Sequence, residues 1–212
     1  MISVIIPCYN MSNAEFFLKR NLDSLRTQTY KDFDVVVTDN SPDHLIERVC
    51  DGYKDLNLYY SRNPRKGMAQ NTNEGIRRAT GDLIKILYQD DYLTHEHVLE
   101  DIVDVFTGHW LVMGADNNPI PRWTDDIETG NNKLGSPSAL TIKNDKPMLF
   151  DENLGYALDC DYYKRMYEKY GEPVILDGVC VNMGIGEHQA THILSKAVKD
   201  GEFDYLIQKY NA

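Results

Sequence analysis

SVIIPCYN at residues 3–10, DFDVVVTDNSPD at 32–43 and GDLIKILYQDDYL at 81–93 share one pattern, a short apolar run followed at once by polar residues. Continuous β-branched runs without alternation predict strands covered on both faces, as in a parallel sheet. The expected strands are Ser3–Ile6, ended by Pro7, then Phe33–Val37 and Leu83–Leu87, with another around Leu56–Tyr60. Phe16, Leu18, Leu22 and Leu25 recur at near-helical spacing, and further helices are expected over 45–50 and 68–79. Strands alternating with helices imply an α/β fold with a mostly parallel central sheet flanked by helices, whose ligands bind outside the carboxyl ends of the strands. Pro7-Cys8-Tyr9-Asn10, Thr38-Asp39-Asn40-Ser41 and Tyr88-Gln89-Asp90-Asp91 then converge on one crevice.

The rest of the chain is less patterned. A helix is expected to start near Thr94, capped by it. Residues 114–145 are rich in Asn, Asp, Gly, Pro and Ser and read as a long loop around the isolated Trp123, which either anchors that loop or offers its ring to a ligand. A helix over 159–170, a short apolar stretch at 173–176 and a last helix over 190–208 complete the reading, with no internal repeat.

At 212 residues the chain suits one domain, with its two halves, 1–113 and 114–212, differing in pattern. Lys and Arg number 22 against 33 Asp and Glu, and the net charge of −11 disfavours general nucleic-acid binding. Cys8, Cys50, Cys160 and Cys180 form no CxxC pair, so reduced thiols are expected. No apolar run reaches the ~18 residues of a transmembrane span, and Met1 leads into a strand without a basic leader, so a cytoplasmic location is expected.

Taken singly, Asp39 with its neighbours reads equally as a turn and helix cap, and Tyr9-Asn10 as a loop. Asp90 and Asp91 are different, because adjacent carboxylates after an apolar strand repel unless a cation or another partner offsets them. In this order and spacing the three segments resemble family 2 glycosyltransferases of the GT-A fold. GSPSALTIK, LFDENLGYALDCDYYKRM and GEHQATH are similar to the segments that follow the metal motif in many members.

The resemblance implies an inverting transfer of a sugar from a nucleotide-diphospho-sugar, UDP-linked by expectation, assisted by Mn²⁺ or Mg²⁺, with a nucleotide-binding half (1–113) and an acceptor-binding half (114–212). Pro7, Tyr9 and Asn10 would line the nucleotide site, with Asp39 accepting a hydrogen bond from the base. Arg65 or Lys66 would neutralise a phosphate, and Asp90 would face the ribose or the metal. Asp91 would bind the metal, with His188 as an additional metal or phosphate contact, and Asp159 would be the general base. One departure is present, since Tyr88 and Gln89 precede the Asp pair where the common motif has an earlier carboxylate. Asp161, beside Asp159, reads alternatively as an ordinary first-turn carboxylate.

Other patterns carry less. His188 and His192 have i,i+4 spacing but no HExxH, and His95, Glu96 and His97 read as structural or solvated. Gly184-Ile185-Gly186 lacks the third glycine and the strand context of a dinucleotide fingerprint, and neither GxSxG nor a P-loop appears. Two alternatives stay open. Nucleotidyl transfer would want a glycine-rich basic loop where Met11-Ser12-Asn13 stands, and a non-catalytic nucleotide-sugar binding module would explain the altered metal motif. The acceptor is open among glycan, lipid, protein and modified base.

Overall fold

A computed structural model describes residues 1–211. Its first half alternates as expected: β1 (Ile2–Cys8), α1 (Ala14–Arg26), β2 (Phe33–Asp39), α2 (Leu45–Cys50), β3 (Leu58–Arg62), α3 (Met68–Arg78) and β4 (Leu83–Ile86). β2 and β4 flank β1 in parallel, and β3 lies parallel outside β2. Every residue of β1 and β2 is buried, which accounts for their unbroken apolar runs. Contrary to the sequence reading, β1 continues through Pro7 to Cys8. The β4 ladder ends at the Ile5–Ile86 pair, so β1 is paired there only with β2 and tolerates a residue without an N–H.

The second half departs further from expectation. It comprises β5 (Tyr92–Leu93), α4 (Val98–Val105), β6 (Trp110–Ala115), β7 (Leu140–Lys143), α5 (Leu158–Tyr170), β8 (Val174–Asn182), α6 (Ala190–Ile193) and α7 (Lys196–Tyr210). The eight strands form one sheet in the order β3-β2-β1-β4-β7-β6-β8-β5. It is mixed: β7 runs antiparallel to β4 and β6, and β5 antiparallel to β8.

Thr94 does not cap a helix, because its N–H and hydroxyl are spent on the carbonyls of Cys180 and Val179 and extend the β5 pairing. α4 therefore starts four residues later, at Val98. The expected loop at 114–145 contains β7 and two short 3₁₀ turns, at Ile127–Thr129 and Pro137–Ala139. Trp123 stacks on Tyr167 with ring centroids 3.9 Å apart, so it anchors this region to α5. The expected last helix is broken in two, with the Ser195 hydroxyl accepting from the Val198 N–H to start α7 afresh.

β6 and β8 lose register between Met113 and Ala115. At that irregularity a Cβ on Gly114 would lie 2.0 Å from the Gly178 carbonyl oxygen, so only glycine lets the two backbones approach. Among the described residues no helix is long and apolar enough to cross a membrane.

α7 clamps the start of α5. Ala157, the residue before that helix, has no side chain able to cap it. Glu202 of α7 does so instead, accepting the backbone N–H groups of Gly155, Tyr156 and Ala157 at 3.0, 2.8 and 2.8 Å. Lys209 then bridges Asp151 and Asp161 at 2.8 and 2.6 Å, and the Tyr210 hydroxyl donates to Asp161. Glu202→Ala should leave three N–H groups without partners and lower unfolding free energy by about 1–3 kcal/mol in urea titrations. An unchanged midpoint would show that α7 does not carry this cap.

Candidate active site

The chain leaves β1 toward β2 and β3, then returns to β4 on the other side of β1. Connections departing in opposite directions open a crevice at the carboxyl ends of β1 and β4. Gln89 bridges that opening: its Oε1 accepts the Tyr9 N–H at 2.8 Å and its Nε2 donates to the Ala14 carbonyl at 3.1 Å. It is buried. A carboxylate could not make the second bond, so the departure at this position has a structural cause.

At the end of β2, Asp39 is completely buried. Its Oδ1 accepts the N–H and hydroxyl of Ser41, and its Oδ2 accepts the Tyr60 hydroxyl at 2.8 Å. Oδ1 thus has two donors and Oδ2 one, which leaves Oδ2 a lone pair for a further N–H. The loop beyond is tied down by the Asn10 N–H, 2.7 Å from Ser41 Oγ, by Asn10 Nδ2 on Asp43, and by Arg62 on the carbonyls of Ser41 and Asp43. Asn71 of α3 joins the strand ends, donating to the carbonyls of Cys8 and Thr38 at 3.0 and 2.9 Å. Pro7 lies buried within β1, whereas Tyr9 is exposed at the rim.

The acidic pair follows β4. Asp91 is buried, and its Oδ1 accepts the Gly184 N–H at 2.7 Å. Burial, with the neighbouring Asp90 charge, pushes its carboxyl up to about 7. Asp90 Oδ2 lies 2.9 Å from His188 Nε2, and the His188 ring packs on Phe17. The backbone of the turn is held by Arg20 on the Asp90 carbonyl and by Asn21 on those of Tyr88 and Asp91. A Cβ on Gly184 would meet the Asp90 carbonyl oxygen at 2.3 Å, which gives this glycine a packing reason unrelated to any dinucleotide motif. His192 is exposed and separate from the pair.

Asp159 and Asp161, adjacent in sequence reasoning, have different surroundings. Asp161 is completely buried and bound by Arg165, Lys209 and Tyr210. Asp159 is partly exposed, taking only neutral donors, its Oδ2 from Asn132 and its Oδ1 from the Cys160 N–H, each at 2.8 Å. Burial raises its carboxyl above the usual range. Burial raises the half-buried Tyr88 hydroxyl, and the charges of Asp159, Asp91 and Asp90 add to that rise.

Arg65 pairs with Glu152, and Lys66 is exposed and has no ion pair among the described residues. Several supporting residues had no sequence signal of their own, among them Tyr60, Asn71 and Asn132. Lys85 had one, a lysine inside the apolar LIKIL run. It is completely buried, donates to the carbonyls of Ile86, Ser138 and Leu140, and is lowered to about 7 by burial. Ser138 Oγ in turn accepts the Tyr88 N–H at 2.8 Å.

The sequence model of glycosyl transferase family 2 matches residues 3–167. The chain belongs to glycosyltransferase family 2. It is 33% identical over 160 residues to an uncharacterized glycosyltransferase of Methanocaldococcus jannaschii, covering 73% of this chain and 52% of that protein. Its fold is GT-A, similar to Staphylococcus aureus TarS 1–349 in complex with UDP-GlcNAc, with a TM-score of 0.73 at 21% identity over 92% of this chain and 61% of that one. The mannosyltransferase PcManGT of Pyrobaculum calidifontis, in complex with GDP-Man and Mn²⁺, gives 0.66 at 22% identity, covering 88% of this chain and 57% of that one. The chain spans from 13% to 52% of the length of curated glycosyltransferases to which it is similar.

Among the described residues no three His, Cys, Asp or Glu side chains converge as a metal site. Asp90 and Asp91 are nevertheless oxygen donors whose mutual repulsion a hard divalent cation would relieve, and such ions are often held by one or two carboxylates plus substrate phosphates and water. The residues therefore fit Mn²⁺ or Mg²⁺ bound together with a diphosphate.

An aspartate raised from its ordinary 3.8 to about 7 favours the folded state below the unfolded value, and that contribution is lost as pH rises through about 7. Asp91→Asn should thus raise the metal-free melting temperature at pH 8 by roughly 2–8 °C and change it much less at pH 4. Calorimetry at the two pH values decides, and a lower melting temperature at pH 8 would show that the ionised carboxylate is stabilised where it stands.

Proposed function

We propose that the chain is a metal-dependent inverting glycosyltransferase that takes a sugar from a nucleotide-diphospho-sugar, with UDP as the nucleotide. The observation that carries this reading is the adjacent carboxylate pair Asp90 and Asp91, held on the turn after β4 with Asp91 buried, in a chain that matches the family 2 model. The UDP-GlcNAc bound to TarS supports the nucleotide, and the GDP-Man and Mn²⁺ of PcManGT support the ion.

Tyr9 and Asn10 would line the nucleotide, and Asp39 would accept the base N–H at the oxygen now holding the Tyr60 hydroxyl. Lys66, which has no ion pair among the described residues, would meet a phosphate directly, whereas Arg65 must first release Glu152. Asp91, with Asp90, would hold the ion, and His188 would keep Asp90 oriented. When bound, the ion would supply positive charge to the departing diphosphate. Asp159 would accept the proton of the acceptor hydroxyl as that oxygen attacks the anomeric carbon from the face opposite the diphosphate. A single displacement of this kind inverts the centre. The raised carboxyl of Asp159 suits a base, since a group ionising nearer neutrality holds a proton more firmly once it has taken it.

A thermal-shift screen of nucleotide-sugars with and without Mn²⁺ identifies the donor, because a ligand that binds only the folded state raises the melting temperature. With donor and acceptor in hand, Asp159→Asn should spare donor affinity and slow transfer by about 10²–10⁴-fold. Asp161→Asn should instead lower the melting temperature, because Lys209 and Arg165 lose their buried partner. Near-normal transfer by Asp159→Asn would move the base elsewhere.

A further inference from the structure

We infer that Glu152 tunes donor affinity by competing with the donor diphosphate for Arg65; this rests on the nucleotide-diphospho-sugar reading above. Glu152 lies in the acceptor-side loop that follows Phe150, yet its carboxylate is seated among residues of the nucleotide side. Oε1 accepts from Asn73 Nδ2 at 3.1 Å and from Arg77 at 3.4 Å, and Oε2 is held by the Arg65 guanidinium. The Glu152 carbonyl accepts from Gln70 at 2.7 Å, and Asn73 also exchanges hydrogen bonds with Phe150. The carboxylate is thus fixed independently of Arg65, so Arg65 can leave without stranding it.

Arg65 is the more loosely held partner. It sits in the loop between β3 and α3, its side chain is 49% exposed, and it touches Glu152 through one terminal nitrogen. A guanidinium carries five N–H donors in a planar fork suited to bidentate phosphate binding, so a diphosphate offers it more than this single contact. Glu152, at 28% exposure, is left with Arg77 and Asn73 when Arg65 turns away. A half-exposed ion pair is weak, so the competition should be modest and salt-sensitive.

The test is calorimetric titration of UDP, and of GDP in parallel, with Mn²⁺ present, into the wild type, Glu152→Gln, Arg65→Ala and the double variant. The amide introduced by Glu152→Gln keeps an oxygen for Asn73, and melting temperatures check that each variant is folded. The tighter-binding nucleotide should bind Glu152→Gln about two- to five-fold more strongly than wild type. That gain should vanish in the Arg65→Ala background and shrink in 0.5 M NaCl, where ~10 Å screening at 0.1 M falls to a few ångström. Equal or weaker binding by folded Glu152→Gln, or a gain that survives Arg65→Ala, overturns the competition while leaving the donor reading intact. Absence of nucleotide binding in every protein overturns both.

Discussion

Two adjacent carboxylates must be held side by side at a crevice mouth without a fixed positive charge bonded to either oxygen pair. Much of the surrounding structure answers that constraint. Arg20 and Asn21 spend their donors on backbone carbonyls of the turn, Gly184 brings an N–H onto Asp91, and His188 reaches Asp90 from a segment almost a hundred residues later. Lys85 is the nearest buried cation, and its charge is felt by Asp91 without contact. Burial first, and then the Asp90 charge, raise the Asp91 carboxyl despite these contacts. A divalent ion that arrives with its own phosphate ligands would offset that charge.

The same constraint explains the unusual Tyr88-Gln89. In a site that needed a third carboxylate, Gln89 would be a loss. Here its amide makes one accepted and one donated bond across the opening between β1 and β4, so the site keeps its shape through a neutral group. The Tyr88 hydroxyl lies 3.5 Å from that of Thr72, and its backbone N–H is held by Ser138.

The three strand ends were legible because fully buried parallel strands write continuous apolar runs, and the polar residues after them have few other reasons to recur. Asp159 was separable from Asp161 by resemblance alone; in space the two differ by the charges around them, which come from Arg165 and from α7, far along the chain. β6 and β7 escaped the reading. WLVMGA is an apolar run as continuous as β1, followed by the turn residues Asp116-Asn117-Asn118-Pro119, so β6 did carry a signal, whereas LTIK is only four residues long. β5 is two residues, defined wholly by its partner in β8. Short or non-local pairings of this kind leave little periodicity to detect. The Tyr60 hydroxyl on Asp39 was equally invisible, because a hydroxyl on a neighbouring strand has no sequence spacing that announces it.

The turn bearing Asp90 and Asp91 is suspended between β4, in the middle of the sheet, and β5, on its outer edge beyond β8. It therefore behaves like a cable fixed at two piers rather than a loop fixed at one. A substitution that shifts the β8 edge, for example at Val181 opposite Leu93, would change the tension on both carboxylates while touching nothing in the crevice. In a mutational survey such edge positions would register as losses of activity in proteins that remain well folded, and a map of the active site drawn from phenotype alone would extend around the rim of the sheet.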